Sequence, residues 1–579
     1  MGEDADAAAT DVRAPTPLDR LVAWLGPPRS YVLTRNLIVR LLGIIYVFAF
    51  LGLLFQGLPL LGHHGLTPID VYVADLRGGG ATFWDVPSVF LFDASDASLM
   101  TWAAIGFALA AFVAAGYANI PMLVALWLIY GSYERVGQAW FSFGWEIQLL
   151  ETTLLVAAMV HPIDPRARQP PALSLVLMRW LAFRIMLGAG LIKLRGDACW
   201  HDLTCLDTHF ETQPLPNPLS PLLHHAPHAV HAIGVAMNHA VELVAPWLVF
   251  GPRLLRLVAG CAMLAFQLAL IASGNLAFLN WLTIVPLLAC LDDDFLRRLI
   301  PARWRPPAEM AAVVAIPGAT PGATPGPVLV AFGVTLVAVL VWTPIFGGRS
   351  ADLQVALGAA LVIAALVATG RSPWPISRQH AAVAMFAALV AVKSCDVVEN
   401  LASDHQAMNR SYDALALVNT YGAFGSIDKV RHELIVEGTL DEDPVSFPAR
   451  AVWRAYEFPC KPGDLARRPC VLGPYHRRLD WVIWFAAMRD EIGDAWVLHL
   501  VYKLLDGDRE IRKLVEDPFD GVAPRWVRIR RFVYHLEPYG EDAWWSRDHE
   551  ELWLAPIARN NPELMRILAQ YGWPSPSLR

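Results

Sequence analysis

LIVRLLGIIYVFAFLGLLFQGLPLLG, residues 37–62, decides the class of fold. A run of about 20 apolar residues suffices to cross the hydrocarbon core of a bilayer, and this run is longer. The first thirty residues are acidic and then carry prolines and arginines. They lack the short apolar core and small-residue cleavage site of a secretory signal. The run therefore reads as a first transmembrane helix that stays in place.

The rest of the chain extends that reading. Of 579 residues, 55% are hydrophobic and only 17% charged, against about 25% charged in soluble chains. The net charge of −7 is small and spread out. No basic patch or stripe of the kind a nucleic-acid binder carries is evident. Roughly half of the acidic and of the basic residues fall after residue 396. The chain thus divides into an apolar body, about 31–395, and a charged tail domain, 397–579.

Candidate spans fall at 37–61, 98–117, 119–134, 142–160, 174–193, 229–250, 254–273, 275–291, 327–346, 352–370 and 379–395. The expected fold is a polytopic helical bundle of about eleven spans, at least five, followed by an α+β tail domain. The Pro/Gly/Ala-rich segment 301–326 reads as a linker before further transmembrane helices at 327–395. Arginine placement orients the bundle. Arg13, Arg20, Arg29 and Arg35 mark the arm 1–30 as cytoplasmic, and the loops at 165–168, 252–256, 295–305 and 371–378 are arginine-rich. The 62–97 loop, with Asp75, Asp85, Asp93 and Asp96, falls on the opposite side with the tail.

Four of the seven cysteines, Cys199, Cys205, Cys460 and Cys470, lie outside the cytoplasm in this topology, in two close pairs. An oxidising compartment favours a disulfide in each, and unpaired thiols are the alternative.

Three regions carry candidate chemistry. The loop 194–228 is dense in acids, histidines and aromatics, and Pro214, Pro216, Pro218 and Pro221 argue for extended, rigid backbone. It reads as a binding surface or as a cover over the bundle mouth, with Trp200, His209 and Glu211 as candidate contacts. In the spans, Glu146, Glu151, Arg184 and Lys193 are costly in hydrocarbon and should face the bundle interior. They make structural ion pairs, such as Glu151 with Arg184, or a polar cavity in which Lys193 acts as a base. In HHAPHAVH, 224–231, a helix would align His224, His228 and His231 as weak candidate metal ligands. No G-x-S-x-G elbow, Walker A loop or dinucleotide fingerprint is present, and no cofactor is called for.

In the tail, 431–438, 451–458 and 526–536 read as strands, while LDWVIWFAAMRDE and AWVLHLVYKLLD read as helices, suggesting an α+β domain, with a helix-decorated sandwich as one form of it. CKPGDLARRPCVLGPYHRRLDW, 460–481, is its most polar stretch. Asp464, Arg467, Arg468, His476, Arg477 and Trp481 there form either a docking face for a partner or an internally paired, stapled loop.

That stretch closely resembles the signature of the lipase maturation factor family. So do AGLIKLRGDACWHDLTCLDTHFETQPLPNPLS (189–220), NTYGAFGSI (419–427) and LTRNLIVRLLGIIYVFAFLGLL (33–54), and the likeness runs from about residue 31 to the C-terminus. The resemblance implies a membrane chaperone that assists folding and assembly of secreted lipases, with its tail domain in the endoplasmic reticulum lumen in animal members. The terminal PSPSLR lacks a retention signal, which fits a bacterial relative in the cytoplasmic membrane. The implied partners are a secreted client protein, a lipase in the animal members, and the lipid bilayer. More faintly, AGLIKLRGDACW looks like a segment of vitamin-K-dependent carboxylases, which would make Lys193 a catalytic base in an enzyme. A transporter is a third reading, weakened by the lack of an internal repeat.

Overall fold

The computed structural model describes residues 29–166, 168–301 and 378–573. Its bundle is built from α1 (Val32–Leu61), α2 (Asp96–Ala114), α3 (Ile120–Val136), α4 (Gly144–Ala157), α5 (Ala172–Arg195), α6 (His228–His239), α7 (Arg253–Ser273), α8 (Leu279–Leu287) and α9 (Arg378–Ala402). Among the described residues, four helices are long and apolar enough to cross a membrane: α1, α2, α5 and α7.

The expected eleven spans are therefore not reached here. Helix α3 has 17 residues and α4 has 14. The run 229–250 is interrupted by a π-helical turn at Ala240–Val244 and by Pro246, and α8 ends in a 3-10 turn after Pro286. A π-turn breaks the i→i−4 ladder and proline removes a donor, so apolar content alone overstated helix length. The expected spans 327–346 and 352–370, the linker 301–326 beyond Pro301 and the arm before Arg29 lie outside the described residues.

Among the described residues, the arginine-bearing loops around 165, 253 and 295 meet at one end of the bundle. Arg253 donates to Asp292 at 2.6 and 3.0 Å, and Asp293 accepts the backbone N–H groups of Leu33 and Thr34. Gln169 accepts from the backbone of Tyr31, and Ala118 donates to the carbonyl of Pro165. The opposite end carries the C-terminal domain.

That domain is one antiparallel four-stranded sheet in the order β2-β1-β3-β4, formed by β1 (Arg431–Thr439), β2 (Arg454–Ala455), β3 (Trp526–Leu536) and β4 (Trp545–Ala558). The anticipated strand 451–458 shrinks to two residues, and no second sheet is present among the described residues, so a sandwich is not formed. Leu434 and Val436 of β1 and Val527 and Ile529 of β3 share one core with α10 (Arg478–Ala487) and α11 (Ala495–Leu505). Ile435, Phe532, Tyr534 and Trp545 pack on the other face beneath Leu465 and Trp544. The alternation follows from the two-residue period of a strand.

The tail does not begin cleanly at 397. Helix α9 continues to Ala402, and residues 417–421 are buried against the middle of α4 and α5. Glycines on and just after α5 allow this close approach. A Cβ at Gly188 would lie 2.4 Å from the Tyr421 carbonyl oxygen, and one at Gly196 would lie 2.1 Å from that of Gly425.

Candidate functional site at the joint between bundle and C-terminal domain

The polar stretch 460–481 runs from the outside of the C-terminal domain into the bundle. A Cys460–Cys470 disulfide, with Cα atoms 5.4 Å apart, closes its first half. Asp480 accepts from the backbone N–H of Cys460 at 2.8 Å and of Lys461 at 3.2 Å, pinning this loop to the start of α10. Lys461 is buried and pairs with Glu433 at 2.8 Å. Arg467 reaches Glu516 with both terminal nitrogens, at 2.7 and 2.6 Å, and these bonds hold the Glu516 carboxyl below its usual range. Arg468 and Asp464 are exposed, and the Arg468 guanidinium lies 5.8 Å from the Trp544 ring. A shallow cleft opens here, lined by Pro216, Lys461, Arg467, Arg468 and Trp545.

The second half of the stretch is turned inward. His476 and Trp481 are buried, 4% exposed each. They sit in an aromatic cage with Phe143 and Trp145, with ring centroids 5.2 to 6.2 Å apart. Neither ring nitrogen of His476 has a hydrogen-bond partner. Burial, with the Arg478 charge nearby, pushes this imidazole well below its ordinary pKa. Arg477 is half-buried. Arg478 crosses into the bundle, donating to Glu146 at 2.8 Å and to the Trp140 carbonyl, over the face of Phe141 at 3.6 Å. Gln56 of α1 completes the joint by donating to the His476 carbonyl at 2.7 Å and accepting from the Arg478 N–H at 2.9 Å.

The internally paired reading of this stretch would have its own aspartates, Asp464 and Asp480, neutralise these arginines. Instead Asp480 is satisfied by backbone N–H groups, Asp464 accepts from the Ala466 N–H, and the arginines reach Glu516 and Glu146. Of the candidate contacts in this stretch, Asp464 and Arg468 face solvent and Arg467 and Arg477 partly do. His476 and Trp481 are internal packing.

The 194–228 loop forms the other half of the joint. Cys199 and Cys205 are disulfide-bonded with Cα atoms 4.8 Å apart. Buried Arg431 of β1 donates to three loop carbonyls, those of Glu211 at 2.7 Å, Gln213 at 2.5 Å and Pro214 at 3.0 Å, while pairing with Glu433. Glu211 is buried and accepts from the Leu536 N–H at 2.8 Å. Trp200 is buried, and its indole donates to the Phe424 carbonyl at 3.0 Å. His209 lies edge-on to the Phe424 ring at 5.0 Å. These three candidate contacts thus brace the loop against the tail.

The histidines do not align. The chain breaks at Pro227, so His224 ends one short helix and faces Glu211 at 3.3 Å, while His228 and His231 both meet Asp207. Among the described residues no group of three or more His, Cys, Asp or Glu side chains is arranged to hold a metal ion. Proline at the centre of the run divides the face that one helix would have formed.

Two polar knots lie inside the bundle. Glu151 pairs with Arg184 and accepts from the Tyr421 hydroxyl at 2.6 Å and from the Asn419 backbone and side chain, each at 3.0 Å. Lys193 donates to both Glu242 oxygens at 2.7 Å and to Asn238 at 3.0 Å, with the Trp200 ring 5.0 Å away. Glu242 sits on the π-helical turn. A lysine so engaged is an ion-pair partner rather than an unbound base. Residue spacing did not reveal Arg478, Arg431, Asn419, Tyr421 or Glu242 as parts of the joint. The quoted motif at 419–427 was the one signal for Asn419 and Tyr421.

Comparison with known proteins matches residues 33–298 to the lipase maturation factor transmembrane domain and residues 417–555 to the lipase maturation factor C-terminal domain. Lipase maturation factor 1 of Bos taurus is 39% identical, covering 94% of this chain and 92% of its own. The Homo sapiens protein of that name is likewise 39% identical, over 94% and 91%. Human lipase maturation factor 2 is 28% identical over 93% and 85%. No solved structure matches the chain.

Proposed function

The chain belongs to the lipase maturation factor family, and on that premise we propose that it is a non-enzymatic membrane chaperone whose client is a secreted lipase. It is a membrane protein, with long apolar helices inside the matched transmembrane domain. The observation that carries the proposal is that the family relation covers bundle and C-terminal domain together. The tight mounting of one on the other supports a rigid platform that presents a rim to a client. Asp464, Arg467, Arg468 and Arg477 form that rim on this reading. Trp200, His209, Glu211, His476 and Trp481 act beneath it, fixing its shape.

The proposed orientation puts the N-terminus and the arginine end in the cytoplasm and the C-terminal domain outside it. In a bacterium this is the cytoplasmic membrane, and in a eukaryote the endoplasmic reticulum membrane. The further span count proposed is about eleven, with short helices completing the crossing. Lys193 serves as a structural cation in this account, because Glu242 and Asn238 occupy its three donors.

The test is the specific activity of secreted lipases in a deletion strain of the native host. Loss of activity restored by the wild-type gene supports the proposal. Unchanged lipase activity in the deletion strain rejects a lipase client.

A further inference from the structure

Helix α2 shows where the bilayer would lie. Its 19 residues span about 28 Å at 1.5 Å per residue, close to the ~30 Å hydrocarbon core. It turns an apolar surface outward, with Ile105 39% and Phe112 60% exposed, and Tyr117, 53% exposed, follows its arginine-side end. On the opposite side, the chain before α2 carries the two most exposed large aromatics of this region, Trp84 at 84% and Phe92 at 74%. Phe83 links them, with ring centroids 5.7 Å from Trp84 and 5.8 Å from Phe92.

Their height along the bundle is fixed by neighbouring bonds. Ser88 donates to the Ser132 carbonyl at 3.2 Å, and the Val89 N–H donates to the Ser132 hydroxyl at 2.9 Å. Phe90 packs edge-on against Tyr133 at 4.8 Å, and the Tyr133 hydroxyl donates to the Leu99 carbonyl in the first turn of α2. Residues 88–92 therefore lie level with the last turn of α3 and the first turn of α2, not above them. Arg77 holds the segment by donating to the Leu91 carbonyl. The exposed aromatic rings thus lie at the height of the first turn of α2.

We propose that Phe83, Trp84 and Phe92 form an aromatic wedge seated at the headgroup–acyl boundary of the leaflet on the C-terminal domain's side. Rings with an apolar body and, for Trp, one polar N–H favour that layer. Asp85 and Asp93 flank the wedge, and each caps a local turn, at Thr82 and at Ser95. Ionised carboxylates at both flanks limit its depth to the boundary, because a charge in hydrocarbon is costly. The inference rests on the membrane-spanning reading of α2. Anchoring this loop would also steady the C-terminal domain, since the Leu66 carbonyl at the start of the same loop bonds to His499 of that domain at 2.7 Å.

The test uses the full chain in phosphatidylcholine vesicles. A nitroxide is attached through a non-canonical residue at position 84, 92, 105 or 490, one at a time. Collision with oxygen is compared with collision with a water-soluble nickel chelate. Asp490, 88% exposed at its side chain on the C-terminal domain, is the aqueous reference, and Ile105 is the lipid reference. The expected oxygen-to-nickel ratio at 84 and 92 is severalfold above that at 490. Water-like ratios at 84 or 92, with 105 lipid-like, overturn the wedge and leave the aromatics as a face for a protein partner. A water-like ratio at 105 overturns the spanning reading itself, and the wedge with it.

Discussion

Arg478 of the C-terminal domain donates to Glu146 of the bundle at 2.8 Å, and both side chains are buried. The pair joins residues 332 positions apart in the chain. Removing one partner of a buried pair leaves the other charge uncompensated, at a cost of about 3–5 kcal/mol. Arg478→Ala and Glu146→Ala should each lower the thermal midpoint in detergent sharply. The double variant should cost less than the sum of the two. Additive losses would show that the two charges do not depend on each other.

Tyr421→Phe removes one of the hydrogen bonds on Glu151, worth about 1.5–3 kcal/mol for a bond to a charged group. Asn419→Ala should cost a similar amount, because the backbone donor of residue 419 survives. Protease nicking within 403–430, followed by mass spectrometry, should rise in both variants if this segment is held in the bundle by Glu151. Unchanged nicking would count against that anchoring.

His476 supplies a pH dependence. Its folded pKa lies well below the ordinary value, and burial pushes His499 down to about 3. As the pH falls below about 6.5, the unfolded chain takes up protons that the folded chain refuses. Each histidine then withdraws about 1.4 kcal/mol of stability per pH unit. Full stability is present above that pH. His476→Phe fits the aromatic cage, removes two unpaired ring nitrogens, and should hold or raise the midpoint at pH 7.5. It should also about halve the loss between pH 6 and 5 that these two histidines cause. A steeper loss in the variant would refute the assignment.

The Arg467–Glu516 pair is partly exposed and contributes about 0–1 kcal/mol. Arg467→Glu with Arg468→Glu should accumulate at near wild-type levels while capture of the secreted lipase fails. Disappearance of the doubly substituted protein from the membrane would mean that these arginines hold the fold instead.

Lys193→Ala strands Glu242 in the bundle and should destabilise by about 3–5 kcal/mol. Replacing both partners, Lys193→Met with Glu242→Leu, should recover much of that loss. Restored lipase maturation by the double variant would exclude lysine chemistry. A folded double variant without activity would favour the enzyme reading.

The sequence by itself determined the apolar helices, the gathering of arginines at one end, both cysteine pairs and strands β1 and β3. Each is local information: a run length, a charge bias, a short spacing or an alternation. Strand β4 escaped because it is a sheet edge. Its middle, RDHEEL, is exposed, so no buried face imposes alternation there. The short helices and the break at Pro227 escaped because apolar content does not record where a hydrogen-bond ladder fails.

Beyond the Glu151–Arg184 pair, which the sequence anticipated, only the tertiary structure decided which polar groups meet. Tyr421 reaches Glu151 across 270 residues, and Arg431 reaches the Glu211 carbonyl across 220. No periodicity encodes such pairs. They form because a buried charge or N–H must find a partner wherever packing brings one within reach. That requirement turned half of the polar stretch 460–481 inward as the joint and left Asp464 and Arg468 at the surface.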